Sequence, residues 1–114
     1  MKIALGQFNA VVGDFAGNVE KMRQVYRRAV QAGVDLLVFP ELAVCGYPPE
    51  DLLHKQHFLR DCSQALNRLA ADCPQLTIVV GFAEGNSLHC YNSAAVLRDG
   101  KIDKTYRKAF LIFV

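Results

Sequence analysis

The 114-residue sequence has little of several things, and each shortage removes a class of function. Its charge is nearly balanced: 13 Lys and Arg against 11 Asp and Glu leave +2 at neutral pH. That is too little for a protein that grips phosphate backbones, so no nucleic-acid partner is expected. The basic residues are also dispersed, with Arg23, Arg27 and Arg28 in one prospective helix and Lys101, Lys104, Arg107 and Lys108 near the chain end. The second group reads first as the solvated face of a strand. No run approaches the ~20 apolar residues that cross a bilayer, so no membrane partner is expected. Cysteine is scattered: Cys45, Cys62, Cys73 and Cys90 include no C-x-x-C pair. This spacing lacks a zinc-site pattern and favours free, mostly buried thiols in a reducing cytoplasm. His54 and His57 stand three apart, a spacing that could bind metal on a helix, but without a third ligand nearby they read as surface polar residues. Neither G-x-G-x-x-G nor a P-loop occurs, so no cofactor is expected in this chain. Repeats, linkers and low-complexity stretches are missing too, which leaves one domain over residues 1–114.

What is present is an ordinary apolar share, 52%, laid out in alternating periods. Residues 2–9 are apolar without helical period and predict a buried first strand, not a signal peptide. A loop over residues 13–18 follows, with Asn18 as helix N-cap. Val19, Met22, Val25, Tyr26, Ala29 and Val30 then recur at helical spacing, and Gly33 closes that helix. Leu36 to Phe39 predicts a second buried strand, joined to the first by a right-handed crossover. Phe58, Cys62, Ala65, Leu66, Leu69 and Ala70 form the stripe of a second helix, which ends before Pro74. Residues 76–82 are β-branched and apolar, a third strand. Asp99-Gly100 between two further strand-like runs is a strong hairpin signal. The fold class is therefore α/β, two helices on a sheet of about five strands, and the sheet's other face needs a second layer.

One carboxylate stands out. Glu41 lies where the second strand opens into the turn Pro40-Glu41-Leu42-Ala43-Val44-Cys45-Gly46-Tyr47-Pro48-Pro49. Strand ends of this kind are where α/β proteins keep their chemistry. An acid against apolar walls trades protons near neutral pH. The plain alternative is a surface Glu that merely ends a strand.

Phe39-Pro40-Glu41-Leu42, followed by Gly46-Tyr47-Pro48-Pro49-Glu50-Asp51-Leu52-Leu53, resembles the first active-site motif of the nitrilase-type carbon–nitrogen hydrolases. The second half is more specific, and resembles the amino-terminal glutaminase domains of glutamine-dependent NAD synthetases. The likeness runs on through Gly6-Gln7-Phe8-Asn9, Val11, Gly13-Asp14 with Asn18, residues 91–97, Gly100, and Tyr106-Arg107-Lys108-Ala109-Phe110-Leu111. It implies about half of an α-β-β-α sandwich, with glutamine as the small-molecule substrate. It also implies ATP and Mg2+ in a synthetase domain absent from this sequence. By this resemblance Glu41 takes the place of the general base, Lys108 that of the lysine stabilising the oxyanion, and Tyr47 that of a tyrosine holding the substrate. Tyr47 reads equally well as a packing aromatic.

The family's third catalytic group is a cysteine that follows the lysine, and none of the six residues after Lys108 is Cys. Cys45, four residues past Glu41, reads as structural. The likeness stops at Leu111, before Ile112-Phe113-Val114, which suggests a truncated form or a change of reading frame. An incomplete sheet with open apolar edges favours homo-oligomers. The competing readings are a non-catalytic α/β fragment or assembly module, and an amidase acting on another amide.

Overall fold

A computed structural model describes residues 1–49, 52, 55–86 and 88–110, the side chains of Gln56, Ala109 and Phe110 excepted. The expectations that fall on Glu50, Asp51, Leu53, His54 and residues 111–114 lie outside the described residues. Among the described residues five strands and two helices follow in the expected order: β1 (Ile3–Leu5), α1 (Phe15–Gln31), β2 (Leu36–Val38), α2 (Gln56–Asp72), β3 (Thr77–Gly85), β4 (Cys90–Arg98) and β5 (Lys101–Phe110). The sheet order follows the chain. β1, β2 and β3 are parallel, and β4 and β5 add to them antiparallel. The helices serve as the crossovers that parallel neighbours require.

The helix stripes are buried as their spacing predicts. Val19, Met22, Tyr26 and Ala29 of α1 meet Phe58, Cys62, Ala65, Leu66, Leu69 and Ala70 of α2 in one core with Leu37, Ile78, Val80, Phe82, Ala95 and Leu97 of the sheet. Each fully buried Leu, Ile or Met here contributes about 2 kcal/mol of apolar burial. Gly33 ends α1 at φ +74°, with Gly33 N–H donating to the Val30 carbonyl and Val34 N–H to that of Ala29. This double closure needs a left-handed residue, and glycine takes it without a Cβ clash. The β4–β5 hairpin closes through Asp99 and Gly100, both at positive φ. Two positive-φ central residues are what a tight hairpin consistent with strand twist demands.

Two local expectations are corrected. Asp14, not Asn18, caps α1, its carboxylate accepting from Gly17 N–H at 3.0 Å. The helix begins earlier than its apolar stripe, and Asn18 lies inside it, buried. The first strand is three residues long and not buried: Ile3 and Leu5 are exposed at the sheet edge. Both helices pack on one face of the sheet, so alternate side chains of an edge strand are left in solvent.

Candidate functional site

The turn after β2 is held from below. Leu42, Ala43, Val44 and Cys45 are all buried and form an apolar plug in the core. Gly46 N–H closes the turn on the Leu42 carbonyl at 2.8 Å. Leu42 adopts φ +50°, a left-handed conformation that a branched side chain takes only when its surroundings impose it. Burial of the Leu42 side chain is what imposes it. Glu41 stands at the outer end of this plug and is half exposed. The apolar walls expected around Glu41 are therefore under the turn, not around the carboxylate.

The turn is also pressed against β3. Gly81 N–H donates to the Pro40 carbonyl at 3.3 Å, and Val44 N–H donates to the Gly81 carbonyl at 3.2 Å. A Cβ built on Gly81 would lie 2.4 Å from the Leu42 nitrogen and 2.7 Å from Glu41 Cα. Position 81 is glycine because the turn's backbone occupies the space.

Lys108 comes from the far edge of the sheet. Ser93 pairs with Arg107 and Asn92 with Ala109, so Lys108 is the extra residue of a β-bulge. Bulges re-aim side chains, and this one has an anchor on each side. Arg107 Nε donates to Glu84 Oε1 at 3.1 Å, which also accepts from Ser93 Oγ at 2.8 Å. The Arg107 guanidinium lies 4.1 Å from the centre of the Tyr91 ring. Ser93 pairs with Phe82, whose side chain is in the helix-covered core, so Arg107 is pinned to that side. Lys108 is turned to the other face, where its ammonium forms an ion pair with Glu41.

Glu41 and Lys108 line a cavity of about 210 Å³ with Phe39, Val79, Gly81, Asn92 and Ala94 among its walls. Two larger clefts exist, of about 380 and 330 Å³, the first beside Arg60 and Glu84 and the second along β1. Size therefore does not select the site; the pairing of a carboxylate with an ammonium at a strand end does. Tyr47 is 70% exposed and does not line this cavity. Sequence reasoning found both charged groups. It did not single out Asn92, a buried polar residue in the cavity wall, because burial is not written in the sequence.

None of the four cysteines lines the cavity, and all are buried as expected. Cys45 Sγ points inward, 3.4 Å from the Gly46 carbonyl. Its partner is Cys62: their hydrogen bond lowers the Cys45 thiol against the opposing effect of burial, while the same bond and burial push the Cys62 thiol well above its ordinary range. Cys45 is structural by position, buried and turned away from the cavity. Among the described residues no group of three His, Cys, Asp or Glu is placed to hold a metal ion. No described helix is long and apolar enough to cross a membrane.

Comparison with known proteins bears on the family and the fold. The carbon–nitrogen hydrolase family model matches residues 2–113. The glutamine-dependent NAD(+) synthetase of Thermotoga maritima is 42% identical over 113 residues, and that of Xylella fastidiosa 42% over 109. These matches take in 97% and 95% of this chain but 19% and 20% of the relatives, so the chain spans about a fifth of their length. Among solved structures, a glutamine-dependent NAD(+) synthetase from Cytophaga hutchinsonii superposes with a TM-score of 0.89 at 25% identity, over 96% of this chain and 19% of that one. The Acinetobacter baumannii enzyme gives 0.82 at 34%, over 93% and 20%. An amidase from Nesterenkonia sp. shares the fold, with a TM-score of 0.82 at 24% identity, over 95% of this chain and 42% of its own. The described sheet and helices are thus a portion of the nitrilase-type α/β fold, and the chain belongs to the carbon–nitrogen hydrolase family.

Proposed function

We propose that this chain is the amino-terminal part of a glutaminase domain of the kind found in glutamine-dependent NAD synthetases. In such a domain glutamine is hydrolysed to glutamate and ammonia, and the ammonia amidates deamido-NAD. The observation that carries this reading is the Glu41–Lys108 pair at the mouth of one cavity. Glu41 acts as general base: it takes the proton of a cysteine thiol, and the thiolate attacks the amide carbon. Lys108 holds the oxyanion of the tetrahedral intermediate, for which a fixed ammonium typically supplies about 3 kcal/mol. Glu41 then returns the proton to the departing ammonia, and water hydrolyses the thioester. Tyr47, exposed at the end of the same turn, is assigned to the rim that meets substrate. The thiol is not assigned to Cys45, Cys62, Cys73 or Cys90, all of which are buried away from the cavity. ATP and Mg2+ belong with the synthetase step, and no residue of this chain is assigned to them. The exposed side chains of Ile3 and Leu5 and the uncovered sheet face favour homo-oligomers, which light scattering across micromolar concentrations checks; a clean monomer counts against them.

The test is a chimera in which these residues replace the matching fifth of the Thermotoga maritima enzyme. Glutaminase activity is expected in the chimera, with kcat lowered at least about 100-fold by Glu41→Gln and by Lys108→Ala. Activity that survives both substitutions would refute the assignment. The 114-residue chain alone is expected to release no ammonia from glutamine. Release that Cys45→Ala abolishes would make Cys45 the nucleophile after all.

A further inference from the structure

Asn18 is the most deeply buried polar side chain of the described residues, at 0% exposure, and it lies inside α1 where a Val or Leu would suit the core. Its amide is fully engaged. Nδ2 donates to the Val11 carbonyl at 2.8 Å and to the Val44 carbonyl at 3.1 Å, and Oδ1 accepts from Val11 N–H at 2.8 Å. The first and third bonds tie the helix to the preceding loop. The second reaches across the molecule to the turn that carries Glu41. Gly13 N–H adds a parallel tie, donating to the Cys45 carbonyl at 2.9 Å.

We propose that Asn18 is a positioning residue for Glu41, acting through the backbone of Val44. That residue is clamped on both sides, its N–H on Gly81 of β3 and its carbonyl on Asn18 of α1. Between it and Glu41 lies Leu42 in the left-handed conformation. A strained residue relaxes when a neighbouring restraint is removed. Without the Asn18 amide, a buried Val44 carbonyl loses a donor and the turn must shift to find another. The outer end of the turn is Glu41, so the shift draws the carboxylate away from Lys108. Asn18 makes no contact with the cavity and acts only through the backbone. The catalytic meaning of this role rests on the assignment of Glu41 and Lys108 above; the geometry does not.

The test reads that geometry without turnover. In the 114-residue chain, the carbon-13 signal of the Glu41 carboxyl is recorded with and without Lys108→Met, in the parent, in Asn18→Ala and in Val19→Ala. Val19 is equally buried on the same helix and serves as the control for lost stability. The Lys108-dependent shift is expected to persist in Val19→Ala and to fall by at least half in Asn18→Ala. A shift that survives Asn18→Ala undiminished overturns the proposal. If Asn18→Ala does not fold, the same comparison is made on Asn18→Asp, which keeps the acceptor for Val11 N–H and loses both donors. Failure of both variants to fold also overturns it, since Asn18 would then serve the whole fold and not the turn. An inactive chimera would sink the glutaminase assignment and leave this result standing.

Discussion

Replacing Gly81 by Ala tests whether the Glu41 turn rests on β3. The added methyl would lie 2.4 Å from the Leu42 nitrogen and 2.6 Å from the Pro40 carbonyl oxygen, both backbone atoms that no rotamer change can move. Ordinary contact begins near 3.4 Å, so strand and turn must part by about 1 Å. Overpacking of this kind costs about 1–3 kcal/mol. The separation also stretches the two hydrogen bonds between Gly81 and the turn, now 3.3 and 3.2 Å, at about 1 kcal/mol each. Losing a flexible residue from the unfolded chain returns about 0.5–1 kcal/mol. The net expectation is a loss of about 3 kcal/mol. With a urea slope of about 2 kcal/mol per molar, the unfolding midpoint falls by about 1.5 M. The amide signals of residues 41–44 shift, while those of the β4–β5 hairpin tip stay in place. A loss below about 1 kcal/mol, or signals unchanged around Glu41, would refute the reasoning.

Asp14→Ala removes the N-cap of α1 and is expected to cost about 1 kcal/mol in the same urea assay, with Asp14→Asn close to neutral. An equal loss in both variants would argue that charge, not capping, matters. Burial, with some help from the Asp72 carboxylate, pushes the Cys73 thiol from 9.0 to about 11. Between those values the unfolded chain holds fewer protons than the folded one, so stability is intact below pH 9 and falls as pH rises toward 11. The loss expected from Cys73 is about 2 kcal/mol, with Cys62 and Cys90 adding in the same direction and Cys45, whose thiol is lowered by its bond to Cys62, opposing it. Unfolding measured at intervals from pH 8 to 10.5 checks this. An alkaline slope no shallower in Cys73→Ala would exclude Cys73 as a source.

Much of the architecture was legible because two periods carry it. The stripes at Val19, Met22, Tyr26 and Ala29 and at Phe58, Cys62, Leu66 and Leu69 are buried where helical spacing puts them. Gly33 and Asp99-Gly100 mark their turns because few other residues tolerate those dihedrals. The errors came where a local preference had a rival. Asp14 and Asn18 are both good caps, and the choice went to Asp14 because Asn18 was needed in the interior. Residues 2–9 are apolar enough for a buried strand, yet burial depends on what covers the sheet, and an apolar run does not encode that. At the site, both charged residues were legible from their motifs, but not what makes them meet. The bulge at Lys108 and the left-handed Leu42 are tertiary features. Gly81 shows no positive φ, so only its neighbour in space explains it.

The Glu41–Lys108 contact does not hold this arrangement together. Both side chains are about half exposed or more, 49% and 61%, and an ion pair so open to water contributes about 0–1 kcal/mol. The plug under Glu41 and the Arg107–Glu84–Ser93 anchor beside Lys108 bring the two groups to one place with or without their attraction. Glu41→Gln should therefore leave the urea midpoint nearly unchanged, within about 0.5 kcal/mol, because it removes only an exposed charge. The same substitution in the chimera should abolish glutamine hydrolysis, since an amide cannot accept the thiol proton. A residue on a strained turn that costs nothing to replace, yet whose loss stops turnover, is held there for its chemistry. If Glu41→Gln instead destabilised the fold by about 2 kcal/mol or more, the carboxylate would be a structural ion-pair partner, and its claim to be the base would fail.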